Sequence, residues 1–347
     1  MMTDIHIRHE GRAGRITLAR PKALNALRYD MCLAIDAALK AWRDDDGVSL
    51  VLIDAEGDKA FCAGGDIAEM YATGMSGDYS YGRRFWADEY RMNAHLAEYP
   101  KPVVSFLQGF TMGGGVGLGC HASHRVVGRS SQIAMPECGI GLVPDVGGSL
   151  LLARAPGALG AYLGMTGARM GPGDAIRAGF ADIYIEEQSW PEVKSELVAT
   201  GALDALQADA VPDGRFADQQ AMIDRAFGAG SLRAVVETLQ SDGSEFADRT
   251  LSALRRSAPL SVACAYVMLR NLTDTATIRD ALAQEYRFTW RAMAQADFLE
   301  GIRAAIIDKD RAPRWRHALL EDVTERDTDE MLASLGSDEL KFEEESQ

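Results

Sequence analysis

Two carboxylates, Glu137 and Asp145, stand in the stretch "AMPECGIGLVPDVGGS" at residues 134–149, among glycine, proline and small apolar residues. Desolvating a carboxylate is costly unless something compensates, so acids in such surroundings either face water or have chemical work to do. Carboxyl groups serve as general acids, general bases or nucleophiles. Two earlier stretches bear on that choice. "FCAGGDIAEM" (61–70) passes from an apolar strand end through Gly64 and Gly65 towards a helix start, and "QGFTMGGGVGLGCH" (108–121) opens a second helix with Gly113, Gly114 and Gly115. Glycine lets the main chain approach a ligand closely, and helix starts leave N–H groups unpaired. Two N–H groups converging from separate loops are the minimum for an oxyanion hole. Taken alone, each stretch also fits an ordinary strand-to-helix turn capped by glycine.

Other chemistries find less support. There is no GxxxxGK[ST] phosphate loop, no GxGxxG and no GxSxG elbow. His6, His9, His95, His121, His124 and His317 lack HExxH or any other ligand spacing, so no metal site is expected. The five cysteines, Cys32, Cys62, Cys120, Cys138 and Cys264, are odd in number, scattered and without CxxC. Reduced thiols are expected rather than a disulfide framework.

The elements that must position these groups follow from periodicity. "DIHIRHEG" and "GRITLAR" read as a hairpin, "NALRYDMCLAIDAALKAWRDD" as a helix and "VSLVLIDAEG" as a buried strand. A helix around "RRFWADEYRMNAHLAEYP" leads into the strand "VVSFLQG", the glycine cluster, and the strands "HRVVG" and "QIAMPE". Strands alternating with helices predict an α/β core with parallel pairing. Beyond about residue 150 the chain reads as helix after helix, with only "ADIYI" resembling a strand. This divides the chain into an α/β core over residues 1–200 and a helical region over 201–347, ending in the acidic run "GSDELKFEEESQ".

Composition narrows the partners. With 36 Lys and Arg against 51 Asp and Glu, the chain carries a formal charge of −15, which argues against nucleic acid as a main partner. No run reaches the roughly 18 apolar residues of a membrane span, and the start, "MMTDIHIRHEG", has neither a signal-peptide nor a transit pattern. A cytoplasmic location is the expectation.

Four stretches, "RPKALNAL" (20–27), "FCAGGDI" (61–67), "GFTMGGGVGLG" (109–119) and "MPECGIGLVPDVGGS" (135–149), together resemble the enoyl-CoA hydratase/isomerase (crotonase) superfamily. The unbroken GGGVGLG, the PDVGG, "FLEGIRAAIIDKDRAPRW" (298–315) and "LGSDELKF" resemble, more narrowly, the branch that hydrolyses 3-hydroxyisobutyryl-CoA. The resemblance runs in order over nearly the whole chain. It implies a crotonase-like spiral of ββα turns with a helical C-terminal region. It also implies an acyl-CoA substrate whose CoA is part of that substrate, so that no separate cofactor is needed, and it leaves a homo-oligomer open.

By motif position, the thioester carbonyl would be held by the N–H groups of Gly65 and Gly114. Glu137 matches the acid used by hydratases, while the second hydratase glutamate is replaced by Gly117. Asp145 stands where the hydrolase branch carries aspartate. Glu137 would act either as nucleophile or as general base on water, with Asp145 assisting. Glu89 falls where the branch has a substrate-contacting glutamate, although by periodicity alone it reads as a helix-surface carboxylate. The CoA portion would touch Lys22, Ala23 and Leu24 and the run Ala63, Gly64, Gly65, Asp66 and Ile67, with Arg20, Lys309 and Arg311 as further cations. Cys138, Gly139 and Ser149 depart from the family pattern and bear on acyl-chain preference. A hydratase or isomerase, and a non-catalytic acyl-CoA-binding protein, are the alternatives.

Overall fold

In a computed structural model that describes residues 4–342, the strands come in pairs. In three of the pairs the first strand joins one sheet and the second joins another. β1 (Ile5–Glu10) and β2 (Ala13–Leu18) form the expected antiparallel hairpin. Three pairs follow: β3 (Leu50–Ala55) with β4 (Ala60–Cys62), β5 (Val103–Phe106) with β6 (Phe110–Met112), and β7 (His124–Val127) with β8 (Gln132–Ala134). A short β9 (Ile183–Tyr184) comes last. The large sheet runs β1-β2-β3-β5-β7-β9, parallel from β2 onward, and the small one runs β4-β6-β8, wholly parallel. Each ββ pair followed by helical chain is one turn of the expected spiral.

Leu50, Val51, Leu52 and Ile53 of β3 are all fully buried, as expected of a parallel strand covered on both faces. Above one face, Phe106, Val126, Ile185 and Trp190 pack with Leu197 from the helix Trp190–Thr200. That helix stops at Gly201, which takes the left-handed conformation, so "GALDAL" does not continue it.

The compact units are interleaved along the chain rather than consecutive. One comprises the chain up to Asp66, Asp88–Ala134 and Arg169–Arg215, and holds every described strand. The other comprises Ile67–Ala87, Met135–Ala168 and the chain from Phe216 on, and its regular elements among the described residues are all helices. Residues 1–3, at the start of the chain, and 343–347, at the end of the acidic run, lie outside the described residues. No helix among the described residues is long and apolar enough to cross a membrane.

Candidate functional site

In the strand-bearing unit, the two glycine stretches are brought together. The helix expected after Gly64 and Gly65 begins at Ala68, beyond an extended stretch. Backbone pairing is the reason. Leu24 accepts from the Ala63 N–H at 3.0 Å, Leu27 donates to Gly64 at 2.9 Å, and Asp66 donates to Leu27 at 2.8 Å. Residues 63–66 are thereby held extended beside residues 24–27, which directly follow Lys22 and Ala23. This pairing uses the N–H groups of Ala63 and Asp66 and not that of Gly65.

Gly114 does begin a helix, Gly114–Gly119, so its N–H has no intrahelical acceptor. The three glycines divide the work. Gly113 adopts φ 51, ψ −122, which a side chain would strain, and its carbonyl accepts from Val116 and Gly117. A Cβ on Gly115 would lie 2.2 Å from the Cys62 carbonyl oxygen, so the helix packs directly on the end of β4. A Cβ on Gly114 would lie 3.4 Å from the Gly65 nitrogen and 2.8 Å from Oε1 of Glu89.

Glu89 is therefore no surface carboxylate. It lies on the helix Ser80–Ala97, only 4 % exposed, against the start of the glycine helix. One turn further on, Asn93 is fully buried, and neither of its amide atoms has a partner among the described residues. Sequence reading passed over it.

The loop of Lys22, Ala23 and Leu24 is a 3₁₀ turn followed by two left-handed residues, Leu24 (φ 50) and Asn25 (φ 55). Asn25 holds this conformation: its side chain accepts from Arg20 N–H and donates to the carbonyls of Glu56 and Ala60, each at 2.9 Å. Lys22 is exposed and has no carboxylate partner among the described residues. Arg20 is engaged by Asp66 at 3.0 Å and Asp4 at 3.6 Å.

The helical unit holds the acids. Glu137 opens a 3₁₀ turn, Glu137–Ile140, after Pro136, so the strand of "QIAMPE" ends at Ala134. Glu137 is 5 % exposed, and its Oε2 is buried with no partner among the described residues. Burial first, and then the neighbouring Asp145 carboxyl, push its proton affinity well above the usual carboxyl range. Asp145 is 4 % exposed and starts a tight turn, closed by Gly148 N–H donating to its carbonyl at 2.7 Å. The turn runs through Val146 at φ 55 and Gly147 at φ 77.

A third acid joins them. Glu285, on the helix Ile278–Gln295, is fully buried. It accepts from the N–H of Gly147 at 2.7 Å, from the N–H of Ser149 at 3.1 Å and from the Ser149 hydroxyl. Burial pushes it up to about 8, against the pull of those hydrogen bonds. Sequence reading missed Glu285, yet a signal existed: it lies at helical spacing from Ala281, Leu282, Phe288 and Thr289, all buried, and so falls on the apolar stripe.

The residues that depart from the family pattern have local partners. Ser149 bonds Glu285, and Cys138 donates to the Gly164 carbonyl at 3.4 Å. All five cysteines are buried and free, and burial raises Cys62 and Cys120 to about 12, which makes these thiols poor nucleophiles.

Gly139 lines a cavity of about 530 Å³ in the same unit, with Arg255, Arg256, Arg311 and Trp315. Arg311 and Lys309 both have left-handed backbone. Between and beside them, Asp308, Asp310 and Glu300 are all taken by Arg303, which leaves Lys309 and Arg311 without a carboxylate partner among the described residues. No group of three His, Cys, Asp or Glu among the described residues is arranged to hold a metal.

Comparison with known proteins gives the lineage. The family model for enoyl-CoA hydratase/isomerase matches residues 13–332. A Xenopus tropicalis protein named 3-hydroxyisobutyryl-CoA hydrolase, mitochondrial, is 40% identical, over 96% of this chain and 89% of its own. The Gallus gallus protein of the same name is 37% identical, over 98% and 91%. Among solved structures, one described as an enoyl-CoA hydratase from Rhodobacter sphaeroides superposes with a TM-score of 0.96 at 57% identity, covering 98% of this chain and all of that one. Another, described as a carnitinyl-CoA dehydratase from Mycobacterium thermoresistibile, gives 0.93 at 38% identity, covering 98% and 99%. The chain belongs to the enoyl-CoA hydratase/isomerase family, in the branch whose relatives are named 3-hydroxyisobutyryl-CoA hydrolase.

Proposed function

We propose that this protein hydrolyses a short 3-hydroxyacyl-CoA thioester, foremost 3-hydroxyisobutyryl-CoA to 3-hydroxyisobutyrate and CoA, the step that valine breakdown requires. The observation that carries this reading is the buried pair Glu137 and Asp145, combined with Gly117 in place of a second hydratase acid. Hydration across a double bond needs acid and base groups at the reacting carbons. Thioester cleavage needs an attacking group and stabilisation of the oxyanion.

The N–H groups of Gly65 and Gly114 are assigned to the carbonyl oxygen, where a preorganised donor is worth roughly 10²–10³ in rate. Glu137, ionised, attacks the carbonyl carbon. The C–S bond breaks and CoA leaves as the thiolate; water that Asp145 orients then opens the anhydride, and a proton released from that water ends on the CoA sulfur. In the variant route Glu137 takes the proton from water, and hydroxide attacks directly. Glu89, buried beside Gly114, is assigned to the substrate hydroxyl.

The CoA portion is assigned to Lys22, Ala23, Leu24 and Ala63–Ile67, supported by the pairing of the two segments through residue 66. Exposed Lys22 is the cation there, and Arg311 is a second candidate for a phosphate. CoA arrives with the substrate, so the reaction needs no resident cofactor. A cytoplasmic location is kept as part of this proposal, although the relatives' names include the word mitochondrial.

The 57% identical structure, described as an enoyl-CoA hydratase, favours hydration as a second reading. Thiol release measured over a panel of acyl-CoA esters, beside crotonyl-CoA hydration, separates the two. Free CoA from 3-hydroxyisobutyryl-CoA with negligible crotonyl-CoA hydration is expected. Hydration without thiol release would establish the second reading, and binding of CoA esters with neither activity would indicate a non-catalytic protein.

A further inference from the structure

The turn that carries Asp145 is an improbable one. Val146 sits at φ 55, where a β-branched residue is a genuine outlier, and Gly147 follows at φ 77. Strained backbone persists only where its surroundings over-determine it. One side chain grips this turn at two of its residues: both carboxyl oxygens of Glu285 are occupied by the turn, Oε2 by Gly147 N–H and Oε1 by Ser149 N–H and hydroxyl. Glu285 is fully buried on its helix and lies 138 residues along the chain from Gly147. No arginine or lysine bonds it among the described residues. A buried carboxyl that takes no cation and spends every bond on one turn is a costly way to fill a core position.

We infer that Glu285 is a positioning residue for thioester hydrolysis: it clamps the strained turn Asp145–Ser149 and thereby fixes the direction of the Asp145 carboxyl. The inference rests on the hydrolase reading. Glu285 does not touch substrate in this account; it acts through Asp145. It also places a third acidic group beside the pair. The acidic groups that act on it are Asp145 directly and, through the shared neighbourhood, Glu137, whose proton affinity both other acids raise.

Two variants test this in the full-length enzyme. Glu285→Gln keeps the length but sets an amide against the N–H groups of the turn and removes a titrating carboxyl. Ser149→Ala removes one of the three bonds and leaves the carboxyl in place. For Glu285→Gln, kcat for CoA release should fall on the order of 10²-fold, as expected for a misplaced reacting group, with KM for the ester nearly unchanged. The acid limb of its pH–rate profile should move to lower pH, because one group that raises the proton affinity of Glu137 is gone. Ser149→Ala should lower kcat less and leave the limb where it is.

Wild-type kcat and an unmoved limb in folded Glu285→Gln would overturn the inference. If that variant does not fold, wild-type kcat in Ser149→Ala overturns it instead. Wild-type protein that releases CoA from no ester on the panel would remove the hydrolase reading and this inference with it. A wild type that turns over beside an indifferent Glu285→Gln removes the inference alone.

Discussion

In the proposed hydrolysis Glu137 must lose its proton to attack or to serve as a base, and its surroundings resist that loss. Burial and Asp145 hold the proton on Glu137 to a pH well above the usual carboxyl range. The sign follows: activity is present above the raised value and is lost as pH falls through it. The kcat/KM profile should therefore show an acid limb inflecting clearly above about 4.3, the ordinary glutamate value. A profile flat down to that value would mean that the carboxyl is not the titrating group. Two of the acids were legible because carboxylates among glycine and proline stand out in a sequence. Glu285 was not, because a glutamate in "IRDALAQEYRFTWRAMAQ" looks like any helix-surface acid until its register against the apolar stripe is worked out. Glu89 looks the same by periodicity alone and was singled out only through the family resemblance, since it is buried against a glycine helix distant in sequence.

At the scale of elements, the glycine helix Gly114–Gly119 is positioned by a contact that only glycine permits. A methyl group on Gly115 would lie 2.2 Å from a backbone oxygen at the end of β4, which no rotamer change relieves. Gly115→Ala should destabilise the fold by about 1–3 kcal/mol, the usual cost of overpacking, read as a lower denaturant midpoint. An unchanged midpoint would show that the helix can move away and that its packing on β4 is not what sets Gly114. The sequence revealed the glycine run and its helix but not the division of labour within it, because spacing says nothing of which Cα faces a neighbouring strand. Sequence reading placed a helix start after Gly64 and Gly65 but not the extended segment before that helix, which begins at Ala68. Pairing of residues 63–66 with 24–27 is a non-local event, and it overrides the local strand-to-helix pattern.

For the whole molecule, alternating strands and helices followed by an unbroken helical series announced the α/β class and the helical C-terminal region. The interleaving of the two compact units could not be read that way. Residues 67–87 and 135–168 differ little in composition from their chain neighbours, and only long-range packing assigns them to the helical unit. Gly65, Gly114 and Glu89 belong to the strand-bearing unit, and Glu137, Asp145 and Glu285 to the helical one. The central claim is that the acids of the helical unit convert a CoA-binding fold into a hydrolase. Asp145→Asn tests it most directly, since the change keeps the size of the side chain and most of its hydrogen bonding and removes only the charge. With 3-hydroxyisobutyryl-CoA as substrate, the account predicts that kcat for CoA release falls by on the order of 10²–10⁴ while binding of the ester is preserved. CoA release at the wild-type rate from Asp145→Asn would contradict it.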